Sequence, residues 1–199
     1  NELDNVNQSP YAGGLYDSLE EHDACGVGLV VNINGRKYHD IVEKGLTILE
    51  NMAHRGAEGA DEKTGDGAGM MVQIPHEFIL LNGIPVPEKG RYGVGMVFLP
   101  KNEEDNDLFT HIIRESVSEQ GLEIMHSRTV PVDSSILGKE ALQTEPEIRQ
   151  IFIVGCDDTR ELETKLYLIR KSIERKTIYS IISDKTNCYI ASLSTSVMV

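Results

Sequence analysis

The stretch EHDACGVGLVVNI, residues 21–33, is the one from which the fold is read. Polar residues run up to Ala24. A cysteine then heads a glycine-punctuated apolar run rich in Val. Such a run predicts a buried strand. Cys25, at the head of that strand, would have one side open to a cleft. Gly26 and Gly28 carry no side chain and would let a substrate backbone approach closely. A thiol with a pKa of about 8.5 is a poor nucleophile at neutral pH and needs a base. The α-amino group of the same residue, with a pKa of roughly 7.7–8.0, is an economical one. Using it requires cleavage between Ala24 and Cys25. Nucleophile and base then belong to one residue, which fixes their geometry.

Upstream, residues 1–20 are polar, contain Pro10, Gly13 and Gly14, and show no periodicity. They predict a flexible leader, and residues 1–24 together read as a propeptide. This segment has no Lys or Arg and no apolar core, so it is not a secretory signal. Downstream, Asn34-Gly35 predicts a hairpin turn, with residues 36–40 as the return strand. Residues 40–53 predict a helix with Val42, Leu46, Leu49 and Ala53 on one face. Asp40 would cap it, with Glu43 completing a capping box, and Gly56 would end it. His54 and Arg55 then sit at the helix exit. The loop RGAEGADEKTGDGAG, residues 55–69, is too rich in Gly, Asp and Glu for a regular element. A glycine-rich loop of that length is usually functional or mobile.

Further strands are predicted over 70–75, 91–100, 122–130, 151–155 and 187–194. A helix is predicted over 103–120. A second opens at Asp158, with Leu162, Leu166, Ile169 and Ile173 inward. Pro85 and Pro87 mark a connector, and Pro131, Gly138 and Pro146 leave room only for short helical turns between 131 and 150. The pattern is mixed α/β or α+β and does not fix a topology.

EHDACGVG at 21–28 and LTILENMAHRGAEGADEKTGDGAGMMVQIPHEF at 46–78 resemble the glutamate synthase family. The resemblance is to the propeptide junction and the following region of its large subunit. That region is a class II glutamine amidotransferase of the N-terminal-nucleophile hydrolase superfamily. QIFIV (150–154), YLIRK (167–171) and SLSTSVMV (192–199) are similar too, so the likeness spans about residues 15–199. A lone CGVG would say little. Paired with HRGA…TGDGAG at this separation it is highly specific.

The resemblance implies an α+β fold, a four-layer αββα sandwich that is incomplete in this chain. Residues 25–199 would be its N-terminal part. It implies that Cys25 attacks the side-chain amide of glutamine, that a thioester forms as ammonia leaves, and that water releases glutamate. The ammonia would pass through a tunnel to a distant flavin domain and react with 2-oxoglutarate. Arg55 matches a position near the nucleophile and is carried over as a substrate-binding residue, although an arginine paired with loop carboxylates fits it too. No cofactor is expected in this chain. FMN, an iron–sulfur cluster and a reduced electron donor are implied for the full-length enzyme. The implied partners are glutamine, the remaining domains and a small subunit.

Two departures from the family matter. Cys25 is not the first residue, so as written it has no free α-amine. The family supplies its Asn-Gly oxyanion hole, and an Arg and an Asp that hold the glutamine's α-groups, from beyond SLSTSVMV. Each missing oxyanion donor would cost about 2.7–4 kcal/mol of transition-state stabilisation. The isolated chain is therefore expected to be a poor or inactive glutaminase. Unpaired strand edges are expected to make it self-associate.

With 19 Lys and Arg against 32 Asp and Glu, the formal net charge is −13. That balance argues against nucleic acid or an anionic membrane as partner. No apolar run approaches the roughly 20 residues needed to span a bilayer. The 3 cysteines include no C-x-x-C pair, so neither a zinc site nor a disulfide framework is suggested and a cytoplasmic setting is expected. Cys156 and Cys188 read as buried small hydrophobes. GDGAG lacks the Lys-Ser/Thr of a phosphate loop and is flanked by Asp61 and Glu62. His22 and His54 lack metal-ligand spacing. Two competing readings remain: a non-catalytic amidotransferase-like module with a structural or binding role, and a redox-sensing Cys25. The latter needs a nearby resolving cysteine, and the sequence offers none that is obvious.

Overall fold

The computed structural model describes residues 26–52, 63–65 and 67–199. The chain forms two compact units, Asn1–Ala57 and Glu58–Val199. The leader and the first part of the glycine-rich loop lie outside the described residues.

In the first unit the predicted helix is α1 (Asp40–Asn51). Ile41, Val42, Ile48 and Leu49 are half-buried on it, whereas Leu46 is exposed. The capping box does not form. His39 occupies the cap position and Asp40 is already helical. The Asp40 carboxylate instead accepts a bond from Lys44 Nζ at 2.8 Å, one turn on. A carboxylate at the first helical position complements the helix dipole without reaching back to a free N–H.

The expected strand at 26–33 and its return at 36–40 are also absent. A turn does form, one residue earlier than expected: Gly35 N–H donates to Asn32 O at 2.9 Å, with Gly35 at φ 67°. The flanking backbone makes no ladder. Val27, Leu29, Val31 and Ile33, every second residue, are 94, 87, 71 and 96% exposed. Alternation marks a face to be buried, but a strand needs a neighbour to bond. Among the described residues this segment pairs with none.

The second unit is built on a sheet of four strands. They are β2 (Gly93–Leu99), β3 (Glu123–Thr129), β4 (Glu147–Val154) and β5 (Tyr189–Ser194), in spatial order β3-β4-β2-β5. All neighbours are antiparallel. Helix α3 (Glu103–Glu119) joins β2 to β3 across β4, and α5 (Thr159–Tyr179) joins β4 to β5 across β2. This is a split βαβ arrangement. Both helices pack on one face, where Phe109, Ile112, Val117, Leu162, Leu166 and Ile169 meet Val97, Ile151 and Ile153.

Glycine on β2 makes that packing close. A Cβ at Gly93 would come 2.5 Å from Leu166 Cδ1, and one at Gly95 would come 2.7 Å from Ile151 Cγ1. The helix starts are capped by side chains: Asn102 accepts from Asp105 N–H at 3.0 Å, and Asp158 from Glu161 N–H at 2.8 Å. The sequence marks the second of these.

On the opposite face, Tyr92, Val94, Phe152 and Val154 meet Ile74, Ile79, Ile84 and Val86. These last four come from the segment around β1 (Val72–Gln73) and α2 (His76–Leu81). β1 pairs with β6 (Val197–Met198) in a two-stranded ribbon. The short helix α4 (Lys139–Thr144) lies in the region where only brief turns were expected. Neither α2 nor β6 was expected. β4 begins at Glu147, four residues before the predicted start, because its polar half is satisfied within the sheet. Gln150, 1% exposed, accepts from Arg128 Nε at 2.8 Å, and Arg149 pairs with Glu147 at 2.6 Å. The chain is α+β.

Candidate active site

Cys25 and Arg55, the two candidate site residues, fall outside the described residues, as does His54. Their immediate neighbours are described. Gly26, bonded to Cys25, and Gly28 lie against α1. A Cβ at Gly26 would meet Met52 Sδ at 2.7 Å, and one at Gly28 would meet Ile48 Cγ2 at 2.3 Å. At Gly28 the branched Ile48 side chain leaves no room for a Cβ, whereas at Gly26 the flexible Met52 side chain would have to shift. The glycines thus let this segment lie close to α1. Met52 stands three residues before Arg55. The Gly26–Met52 contact therefore joins the two chain segments that lead to the candidate nucleophile and to the candidate substrate-binding residue.

Of the other two thiols, Cys188 is unsuited to nucleophilic attack. Cys188 is 6% exposed and donates to Asp184 O at 3.3 Å. Burial first, and then the nearby Asp184 and Asp105, push its thiol up to about 12. At neutral pH only on the order of 10⁻⁵ of it would be thiolate. Cys156 is half-buried and donates to Asp158 O at 3.6 Å. It borders an open depression of about 500 Å³ that also touches Pro87, Arg91 and Asp157. Arg91 is paired with Asp157 there. Cys188 matches its expected role as a buried small hydrophobe, and Cys156 does so in part.

The later part of the glycine-rich loop is described. Gly67 takes φ 77°, a conformation that favours glycine, and residues 67–69 are exposed. A Cβ at Gly69 would have Val199 Cγ1 as its nearest neighbour, at 3.9 Å. The loop runs directly into β1, whose Val72 and Gln73 face Met198 and Val197 of β6. Ile74 N–H donates to Ser196 O at 3.0 Å. This end of the loop is thus tied to the end of the chain. Sequence reasoning missed the tie, since a two-residue strand leaves almost no periodic signal.

No group of three or more His, Cys, Asp or Glu among the described residues is placed to hold a metal ion. No helix among them is long and apolar enough to cross a membrane.

Comparison with known proteins places these observations. The profile of the family "Glutamine amidotransferases class-II" matches residues 25–199. The large chain of glutamate synthase [NADPH] from Bacillus subtilis is 41% identical over 198 residues, covering 97% of this chain and 13% of that protein. Glutamate synthase [NADH] from Saccharomyces cerevisiae is 42% identical over 182 residues, covering 83% of this chain and 8% of that protein. Ferredoxin-dependent glutamate synthase 1 from Arabidopsis thaliana is 37% identical over 196 residues, covering 96% and 12%. The chain thus spans only a small part of the length of these relatives.

Proposed function

The chain belongs to the class-II glutamine amidotransferases, and from that premise we propose that it is the glutaminase portion of a glutamate synthase. It hydrolyses glutamine to glutamate and ammonia through a thioester on Cys25. The observation that carries this reading is that the family match begins on Cys25 itself. Residues 1–24 lie before the match, as a removable propeptide would.

The chemistry follows from a cysteine at a chain start. Once the Ala24–Cys25 bond is cut, the α-amine takes the thiol proton and the sulfur attacks the amide carbon of glutamine. The ammonium so formed returns its proton to the leaving nitrogen, and ammonia departs. Water, deprotonated by the same amine, then attacks the thioester and releases glutamate. Arg55 is assigned to hold the substrate. The complete domain adopts the four-layer αββα sandwich, to which this chain contributes its N-terminal part.

In the whole enzyme the ammonia is used on 2-oxoglutarate by other domains, with a small subunit as a further partner and a cytoplasmic location. FMN and an iron–sulfur cluster would supply the reducing chemistry. Those groups are assigned to other segments of the whole enzyme. The electron donor is set elsewhere too. Relatives named for NADPH, NADH and ferredoxin are 41, 42 and 37% identical to this chain.

The test is labelling of the full-length native protein with the glutamine-like electrophile diazo-oxo-norleucine. N-terminal sequencing should find Cys25 first, the label should sit on Cys25, and Cys25→Ser should abolish glutamine hydrolysis. A folded protein that neither takes the label nor releases ammonia would be a non-catalytic module instead.

A further inference from the structure

We propose that Asn34 is a site of covalent self-modification: its side-chain amide is lost as ammonia, and the Asn34–Gly35 link becomes largely isoaspartyl. The inference stands apart from the glutaminase reading. It rests on two Asn-Gly pairs that the fold treats differently.

The sequence holds Asn-Gly twice, at 34–35 and at 82–83, each time after a branched aliphatic residue, Ile33 or Leu81. Glycine matters because, without a side chain, it leaves its own amide nitrogen uncrowded. That nitrogen attacks Cγ of the asparagine. The new N–Cγ bond closes a succinimide ring, the Cγ–Nδ2 bond breaks, and Nδ2 leaves as ammonia with the proton that the glycine nitrogen gave up. Water then opens the ring. Attack at the α-carbonyl carbon leaves the main chain running through Cγ, which is isoaspartate. Attack at Cγ gives ordinary aspartate. Either product adds a carboxylate to a chain whose formal net charge is already −13.

Asn34, Gly35, Asn82 and Gly83 are all exposed, so access alone does not separate the pairs. Nor does the attacking nitrogen. Gly35 N–H is bonded to Asn32 O at 2.9 Å, and Gly83 N–H to Leu80 O at 3.0 Å. The difference lies in the asparagine side chains and in what their turns are fastened to. Asn82 Nδ2 donates to Phe78 O at 2.7 Å, which holds the leaving group on the end of α2. Ile84 N–H returns to Ile79 O at 3.3 Å, and these two isoleucines are 4 and 2% exposed. Asn82 therefore brings its Cγ onto Gly83 N only by opening a helix end that is seated in the core. Asn34 has no such hold. Its side chain makes no hydrogen bond among the described residues, and its backbone N–H is engaged by Asn32 Oδ1 at 3.0 Å. Ile33 is 96% exposed, and no residue from Asn32 to Arg36 is buried. Opening this turn hands backbone bonds to water and gives up no packing, so it costs little.

The experiment incubates the full-length native protein near neutral pH, once folded and once in concentrated urea. Peptide mapping that separates the Asn, Asp and isoAsp forms then follows both pairs over time. In the folded protein Asn34 should convert about 10-fold faster than Asn82, with isoaspartate the larger product. In urea, where both pairs keep their neighbours in sequence but lose the fold, the two rates should converge. Folded-state conversion at Asn34 that is no faster than at Asn82 overturns the proposal. A difference that persists undiminished in urea overturns it too, because the local sequence and not the fold would then set the rates. Aspartate without isoaspartate would mean direct hydrolysis of the amide by water, and the attack by Gly35 N would be wrong.

Discussion

Asp105 shows what one carboxylate does for this fold. It sits in the first turn of α3 and is 8% exposed. It accepts bonds from Ser183 Oγ and from the backbone N–H groups of Ser183 and Asp184, 78 and 79 residues away. The Ser183 hydroxyl, and then the Asp184 N–H, hold its carboxyl below the ordinary value of 3.8. The sign of the consequence follows. The folded state prefers the ionised form more than the unfolded chain does, so the contribution is complete above the unfolded value and is lost as pH falls below it. The gap in urea midpoint between wild type and Asp105→Asn should be widest near neutral pH and shrink below about pH 4. A gap that stays constant down to about pH 2.5 would rule this out. Asp105 was illegible in the sequence, because its partner lies 78 residues on and no local spacing marks it. Asp158 was legible, because its partner is three residues away and capping is a local rule. Cys25 was singled out on the types of its neighbours, and it lies outside the described residues.

At the scale of elements, what could be read from periodicity followed length and partners. Helices α3 and α5 and strands β2 and β5 carry several repeats of their period, and the expected spans agree closely with the observed ones. Helix α2 has 6 residues and β6 has 2, too few to repeat anything. The segment 26–33 alternates well, yet alternation reports a face and not the neighbour that would pair with it. Gly95 illustrates a related ambiguity. A glycine inside a strand weakens it in isolation, but here it lets Ile151 on β4 and Leu193 on β5 close over β2, at 2.7 and 3.1 Å from where a Cβ would stand. Gly95→Ala should therefore destabilise the second unit by about 1–3 kcal/mol through overpacking. The urea midpoint should fall while the slope of the transition is unchanged. A midpoint equal to wild type would mean that the sheet has room the distances deny.

At the scale of the molecule, the isolated 199-residue chain carries an unresolved conflict between charge and apolar surface. Its net charge of −13 favours dispersion through mutual repulsion. Against that, Val27, Leu29, Val31 and Ile33 stand exposed on one alternating row of unpaired backbone. An extended segment with free N–H and C=O groups and an apolar face is a template for pairing with a second copy. Repulsion is long-ranged and screened by salt, whereas strand pairing acts at contact and is not. The balance should therefore depend on ionic strength. In sedimentation velocity the isolated chain should gain mass as salt rises from about 10 mM to about 0.5 M, where the Debye length falls from about 30 Å to a few ångström. Leu29→Lys with Ile33→Lys should keep it monomeric throughout, because charge on an edge blocks pairing. A wild-type chain that remains a monodisperse monomer at high salt would show that this row is covered from within the chain. The pairing argument would then fail, and the exposed row would lose its standing as the surface that draws a second copy.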